Sequence, residues 1–470
     1  MTAEVERSAF IEDLRSITPG VVTDPDVLRG LSRDAADLFS YEAPLPVAAV
    51  YPKTTQDVAA VVKVAARHKV AVVPQGSRTG LAGGANAVAG AVLVCLERMN
   101  TILEIDPGNR IAVVQPGVIN ATLRRAAAEV GLFYPPDPSS WEMSSIGGNV
   151  STNAGGLCCV KYGVTSNYVL GLEVVLANGE VLRCGRRTAK GVAGYDLTSL
   201  FTGAEGTLGI ITEITLALRP LPDPTLTLVA IFDSKAAIGT AITSISASRI
   251  QPSMVEMLDR VHIRAVELIR PMGLNPQAEA MLLAGSDARS SAADDVAAMA
   301  DICRQAGAVE VYVASDPTEA ESLLTARRLA QPAMKHLAQV EYPGGGGDAV
   351  VEDIAVPKTR IVELLESVDA ISKARGITIG FHGHAGDGNL HPTLLMDRNS
   401  PASVAAAKAA FDEVLRVTLG LGGTITGEHG VGLLKRDWLG REIGDVGLRV
   451  HRAIKAALDP DNLLNPGKMF

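Results

Sequence analysis

The strongest constraint on the fold is a change of rhythm within residues 45–86. PVAAVYP has the apolar texture of a strand. TTQDVAAVVKVAARHK then sets apolar residues at helical spacing behind Thr54 or Thr55 as N-cap. VAVVP returns to a short apolar run, which predicts a buried strand. This βαβ-like unit stops abruptly in Gln75-Gly76-Ser77-Arg78-Thr79-Gly80-Leu81-Ala82-Gly83-Gly84-Ala85-Asn86. Glycines directly after a buried strand present bare backbone N–H groups, and such nests hold phosphates. The same composition also suits a flexible surface loop.

Two further segments have this character. Tyr134-Pro135-Pro136-Asp137-Pro138 leads to Ser144-Ser145-Ile146-Gly147-Gly148-Asn149-Val150-Ser151-Thr152-Asn153-Ala154-Gly155-Gly156, which reads as loop rather than core, with small side chains suited to close approach by a flat polar ligand. Gly203-Ala204-Glu205-Gly206-Thr207-Leu208-Gly209-Ile210-Ile211 runs into a β-rich stretch. Neither GxGxxG nor GxxxxGK[ST] occurs, so a dinucleotide fingerprint and a P-loop are both excluded.

Beyond RPLPDP (Pro220, Pro222, Pro224), a boundary signal, the texture changes. LTLVAIF reads as a strand followed by a helix. MLLAG, a helix at 294–306 and VEVYVAS follow, and a helix at 359–375 leads to GFHGHAGDGNLHPTLL. This rhythm predicts an α+β sheet domain with helices on one face. The sixteen residues from Gly380 hold three of the chain's 8 histidines. GDGN between two apolar runs signals a hairpin. A four-residue loop of Gly386-Asp387-Gly388-Asn389 would pair Ala385 with Leu390 and set His384 opposite His391, with His382 on the same face. Three imidazoles so placed could share a metal ion, or form a polar sheet face of hydrogen-bonded histidines.

The formal net charge of −9 argues against nucleic acid as a partner. No apolar run reaches the ~20 residues that span a bilayer. The first thirty residues show no signal or transit pattern, and the 5 cysteines form no CxxC, so a cytoplasmic chain with reduced thiols is expected, with a peripheral place at the inner face of the membrane as the one variant of that location.

PQGSRTGLAGGAN, SSIGGNVSTNAGG, GAEGTLGIIT, HAGDGNLH and GEHGVG (residues 427–432) occur in one order over roughly residues 45–470. That set resembles the FAD-linked oxidases of the vanillyl-alcohol oxidase class. Its nearest branch holds D-lactate dehydrogenases, the glycolate oxidase flavoprotein subunit and D-2-hydroxyglutarate dehydrogenase. The resemblance implies an α+β chain: a two-part PCMH-type FAD-binding domain over residues 1–220 (core about 42–220), an antiparallel-sheet substrate domain over 221–426, and a helical segment over 427–470. It implies FAD contacts from Pro74, Gln75, Gly76, Ser77, Arg78, Thr79, Gly80, Gly83 and Gly84, and from Pro136 and Asp137. Gly147, Gly148, Asn149, Thr152, Asn153 and Gly155 are implied on the isoalloxazine and ribityl side. Glu205, Gly206, Gly209, Ile211, Asn465 and Lys468 complete the implied set. Some relatives attach FAD through a histidine of the first loop. Residues 74–86 hold none, so non-covalent FAD is expected.

In the dehydrogenase branch H-x(6)-H and the Glu of GEHG hold a divalent ion, which implies His384, His391 and Glu428 here. Two His and one carboxylate suit Zn²⁺ first, with Mn²⁺ or Fe²⁺ compatible. The pattern implies His429 as base and Arg327 of TARRLAQPA as carboxylate anchor, with Arg328 as fallback and Lys435 as a further cation. The branch's Lys has no counterpart in residues 350–357, and Thr393 stands where it carries Asn. Both departures favour a short D-2-hydroxy acid, D-lactate or glycolate-like, over D-2-hydroxyglutarate. The acceptor is expected to be a quinone, a cytochrome, an electron-transfer flavoprotein or an iron–sulfur subunit rather than NAD⁺ or oxygen, and a homodimer is compatible. Two alternatives are an alkylglycerone-phosphate-synthase-like enzyme and a non-catalytic flavoprotein subunit of a larger complex.

Overall fold

Thr54 starts the first helix because its hydroxyl accepts from Asp57 N–H while the Asp57 carboxylate accepts from Thr54 N–H. The helix Thr55–His68 buries Val58, Val61, Val62 and Ala65, and Lys69 ends it in the left-handed region. In this computed structural model, which describes residues 3–470 apart from Pro19, Asp37 and Ser40, the chain divides into two units. The first comprises Met1–Gly155, Val164–Leu221 and Glu428–Phe470; the second comprises Gly156–Gly163 and Pro222–Gly427.

In the first unit β1 (Ala48–Val50), β2 (Val72–Gln75) and β3 (Val92–Cys95) form a parallel sheet in the order β1-β3-β2. β4 (Ile102–Asp106) and β5 (Ile111–Val114) join a second, antiparallel sheet. After the short β6 (Leu132–Phe133) come β7 (Val169–Val175), β8 (Val181–Gly185) and β9 (Ile210–Ala217), giving the order β4-β5-β9-β7-β8. β10 (Arg219–Pro220) pairs with β6. One apolar cluster joins both sheets: Val50, Val92 and Val94 from the first, Val175 and Ile210 from the second, with Phe10 and Leu14 of the helix Ala3–Ile17 packed on it. The helix Arg436–Leu458 breaks at Gly444 (φ 69°, ψ 172°). The chain after it then lies along β2, where Val72 N–H donates to Leu463 O (2.8 Å) and Asn465 N–H to Val72 O (2.7 Å).

Residues 146–152, expected as loop, form the helix Ile146–Thr152. Ser145 caps it by accepting from Gly148 N–H (3.3 Å), and Asn153 closes it at φ 53°. Ile146 and Val150 are buried. A Cβ on Gly147 would lie 2.4 Å from Pro116 Cβ, so only glycine lets this turn press so close. Burial here outweighs the poor helix propensity of Gly, Ser and Thr.

The second unit is built on an antiparallel sheet of eight strands: β11 (Leu226–Phe232), β12 (Met254–Asp259), β13 (Ala280–Ser286), β14 (Glu310–Val313), β15 (Gly347–Val351), β16 (Ile354–Ala355), β17 (Ile379–His384) and β18 (Asn389–Asp397). Their order is β14-β11-β13-β12-β17-β18-β15, and β16 pairs with β18. One face packs on the helices Arg260–Ile269, Pro317–Arg328 and Ala330–Glu341 through Val229, Ile231, Leu258, Met281 and Leu283 against Ala326, Ala330, Ala333 and Met334. β13 is buried at every position, so the centre of the sheet is covered on both faces, not on one as its rhythm suggested, while the edge strand β14 stays largely exposed. No helix among the described residues is long and apolar enough to cross a membrane.

Candidate functional site

In the first unit the three glycine-bearing segments converge. A Cβ on Gly76 would lie 2.4 Å from Ser145 Oγ and 3.5 Å from Gly148. A Cβ on Gly206 would lie 2.5 Å from Pro74 Cγ. Glu205 N–H donates to Ser151 O (2.8 Å), and Gly203 N–H to Val150 O (2.9 Å). The loop after β2 is held from outside: Gln75 Nε2 donates to Leu31 O and Ala85 O, Asp34 Oδ2 accepts from Ala85 N–H, and Asn86 Oδ1 accepts from Asp34 N–H. Among the described residues, the backbone N–H groups of residues 76–84 donate to no protein acceptor. Arg78 Nη1, Ser144 Oγ and Asn149 Nδ2 are buried without a hydrogen-bond partner. A native structure satisfies such groups, and this donor-rich rim suits a phosphate-bearing, hydrogen-bonding ligand.

The chain near its C-terminal end locks this rim. Asn465 Nδ2 donates to Gly84 O (2.9 Å) and Glu205 O (2.7 Å). Lys468 Nζ donates to Asn86 O (2.7 Å) and Asn465 Oδ1 (3.2 Å). The Glu205 carboxylate accepts from Val431 N–H (2.7 Å) and Gly432 N–H (2.8 Å). Burial pushes Glu205 up to about 7, against the pull of those two N–H groups and the Lys468 charge. Burial likewise raises Asp34 to about 6 and lowers Lys468 to about 8. The other residues expected at the cofactor have these surroundings. A Cβ on Gly209 would strike Val174, and Ile211 is a buried residue of β9. Asn153 Oδ1 accepts from Ser166 N–H (2.8 Å). Pro136 O accepts from Asn120 Nδ2 (3.0 Å), and Asp137 beside it is buried. Thr152 Oγ1 donates back to Gly148 O, and Gly155 is buried.

In the second unit the histidine hairpin forms, with its register displaced by two residues from the expected one. His384 faces Asn389 and His382 faces His391, so Ala385 to Gly388 make the turn. A shift of two keeps every side chain on its face. The His384 and His391 rings lie 5.3 Å apart and perpendicular, and the His382 and His391 rings 5.2 Å apart. His384 Nδ1 donates to Glu256 Oε1 (2.7 Å), and Arg327 Nε donates to Glu256 Oε2 (2.6 Å). Arg327 is 8% exposed, whereas Arg328 points to solvent. Asp259 Oδ1 accepts from His262 Nδ1 (3.0 Å), which leaves His262 Nε2 to accept from His382 Nδ1 (3.0 Å). Burial first, then the charges of Arg327 and the neighbouring imidazoles, hold His382 well below the usual histidine range.

Asp353 ties the hairpin to residue 427: Oδ1 accepts from Asn389 Nδ2 (2.7 Å), Oδ2 from Thr426 Oγ1 (2.7 Å) and Gly427 N–H (2.9 Å), and His391 Nδ1 lies 3.8 Å away. Thr393 is buried, its hydroxyl directed at His391 O (3.4 Å). Glu428 and His429 belong to the first unit, with His429 Nε2 3.7 Å from Glu428 Oε1, and Lys435 is buried there. Sequence reasoning passed over Glu256, Asp353, His262 and Asp34. The signal for Glu256 was there: an acid in the middle of the apolar run MVEML, since an acid is rarely buried without a partner.

Residues 46–185 match the family model of an FAD binding domain, and residues 221–469 match that of the C-terminal domain of FAD linked oxidases. The glycolate oxidase subunit GlcD of Bacillus subtilis (strain 168) is 42% identical over 439 residues, 92% of this chain and 92% of that one. The D-lactate dehydrogenase of Anaerostipes hadrus is 32% identical over 473 residues, 98% of this chain and 97% of that one. Among solved structures, 4-ethylphenol oxidase from Gulosibacter chungangensis shares the fold with a TM-score of 0.79 at 22% identity, over 100% of this chain and 98% of that one.

Proposed function

The chain belongs to the FAD-linked oxidases, with their α+β fold, and from that premise we propose that this FAD-linked oxidoreductase is a metal-dependent dehydrogenase that converts a short D-2-hydroxy acid into its 2-oxo acid. The single observation that carries the substrate class is the buried Arg327 hydrogen-bonded, through Glu256, to a histidine of the hairpin. A buried guanidinium beside an imidazole cluster suits a ligand that has a carboxylate and a metal-binding oxygen together.

The bare N–H groups of residues 76–84 and the buried polar atoms of Arg78, Ser144 and Asn149 fit an FAD held by the first unit. FAD, when bound, supplies the two-electron acceptor for the substrate's α-hydride. His384, His391 and Glu428 are the residues that would hold a divalent ion, Zn²⁺ before Mn²⁺ or Fe²⁺, which as a Lewis acid would lower the hydroxyl pKa. Two local facts support this set. The Glu256 carboxylate can only accept, so the proton of His384 sits on Nδ1 and its Nε2 is the donor for a metal. Glu428 follows directly on Gly427, which Asp353 ties to the same hairpin, and one peptide link keeps consecutive Cα atoms about 3.8 Å apart.

Arg327 pairs with the substrate carboxylate and fixes its orientation. His429, next to Glu428, takes the hydroxyl proton on a ring nitrogen. No cation occupies residues 350–357, and Thr393 spends its hydroxyl on a backbone carbonyl. A distal carboxylate would enter with less compensation, and an unpaired buried charge is costly. The relative's name, a glycolate oxidase subunit, supports electron transfer onward to a partner. A panel of D- and L-2-hydroxy acids with a dye acceptor, with and without chelator, tests the reading. D-lactate or glycolate should show the highest kcat/KM, and activity should be lost on chelation. A clear preference for D-2-hydroxyglutarate would overturn the short-acid assignment.

A further inference from the structure

We propose that Glu256 is the positioning residue that joins substrate recognition to metal binding: one carboxylate sets both the ring of His384 and the guanidinium of Arg327. The inference rests on the reading of His384 as a metal ligand and Arg327 as the carboxylate anchor. The geometry lies wholly within the second unit. Glu256 sits on β12, beside β17, where Met257 pairs with Gly383 and Leu258 with His382. Continuing that register brings Glu256 against His384. Its side chain is fully buried. Oε1 receives His384 Nδ1 at 2.7 Å, and Oε2 receives Arg327 Nε at 2.6 Å.

Burying a carboxylate in a sheet is costly unless every charge is met. Here an arginine and an imidazole meet it at once, so the three groups form one rigid hydrogen-bonded piece. An acceptor-only partner admits a single tautomer of His384, with the proton on Nδ1 and the lone pair on Nε2. Anchoring Arg327 through Nε leaves its two terminal nitrogens as the fork for a planar carboxylate. The distance between metal and carboxylate anchor is thereby set by one side chain. That suits a 2-hydroxy acid, whose hydroxyl and carboxylate are on adjacent carbons.

Glu256→Gln isolates this role with little change of shape. The amide can donate toward Nδ1, which favours the opposite His384 tautomer and takes the lone pair from Nε2. The flavin-loaded, metal-stripped protein, labelled with ¹⁵N-histidine, reports the tautomer directly. Wild type should show His384 protonated on Nδ1, and Glu256→Gln should show it on Nε2. Competition with a chromogenic chelator should show Zn²⁺ binding about 10–100-fold weaker in Glu256→Gln, the range seen when a ligand's hydrogen-bond partner is lost. KM for the hydroxy acid should rise as well. Arg327→Lys should raise KM while leaving the His384 tautomer and Zn²⁺ affinity near wild type, which separates the two ends of the link. Flavin absorbance and a melting curve verify that each variant is folded; if Glu256→Gln is not, Glu256→Asp, which keeps the charge and shortens the reach, should still weaken Zn²⁺. Equal Zn²⁺ affinity and an unchanged tautomer in a folded Glu256→Gln would overturn this inference alone. A wild-type chain that takes up no Zn²⁺ would overturn the metal reading and this inference with it.

Discussion

Glu205 is an acid held where its charge is least welcome. Its left-handed backbone (φ 51°) turns the side chain toward the N–H groups of Val431 and Gly432, and burial raises its pKa from 4.5 to about 7. The folded protein therefore holds this proton more tightly than the unfolded chain does. Its contribution to stability is full below pH 4.5 and is lost as pH rises through about 7. That displacement corresponds to ~3 kcal/mol across the window. Glu205→Gln carries no such titration, while Asp34 and Lys468 titrate in both proteins. The melting temperature of wild type minus that of Glu205→Gln should fall between pH 5 and pH 8. A difference that is flat with pH, measured by calorimetry on the FAD-loaded proteins, would refute the assignment.

At the scale of elements, the glycine turns shape the rim proposed to hold the flavin. Gly206 stands at φ 70° with Pro74 Cγ 2.5 Å from any added Cβ. Gly206→Ala should cost ~1–2 kcal/mol for the left-handed backbone and ~1–3 kcal/mol for the overlap. It should also lower the flavin-to-protein absorbance ratio after gel filtration. Gly345→Ala is the control: φ is 78°, nothing lies within 4 Å of its Cβ, and it sits in the second unit, so it should keep its flavin. These elements also show what the sequence made legible. The helix behind Thr54 and the strands flanking it were readable because capping and apolar spacing are local signals. The hairpin strands were readable for the same reason, but not their register. GDGN permits more than one turn, and β16 pairing with Asn389 and Leu390 draws Asn389 into the strand. The helix Ile146–Thr152 was hidden because the contact that stabilises it is Gly147 on Pro116, thirty-one positions away. The metal candidates were visible in HAGDGNLH, whereas Glu256 showed only as an acid in an apolar run and its role did not, since its partners His384 and Arg327 lie 128 and 71 residues along the chain.

On the scale of the whole molecule, flavin and metal are assigned to different sets of residues, and they should come apart independently. Exhaustive chelation should abolish turnover and leave the flavin spectrum intact. His384→Ala, His391→Ala and Glu428→Ala should each behave as the chelated enzyme does. His382→Ala should be milder, because that ring is tied to His262. Acid precipitation should release all the flavin to the supernatant, since residues 74–86 contain no histidine. Flavin that stays with the pellet would show a covalent bond.

The lock on the flavin rim also has a meaning in time. Lys468 reaches Asn86 across 382 positions, and Asn465 reaches Gly84 across 381. At a ribosomal pace of about 5–20 residues per second, roughly 20–80 seconds pass between synthesis of the loop and arrival of its clasp. Throughout that interval the loop has only the braces made by the segment before it, Leu31 and Asp34 on Gln75, Ala85 and Asn86. If the rim holds FAD as proposed, the cofactor is a late guest: firm capture waits for translation to pass residue 468, and flavin shortage in a growing cell should be felt as a pool of loosely clasped chains.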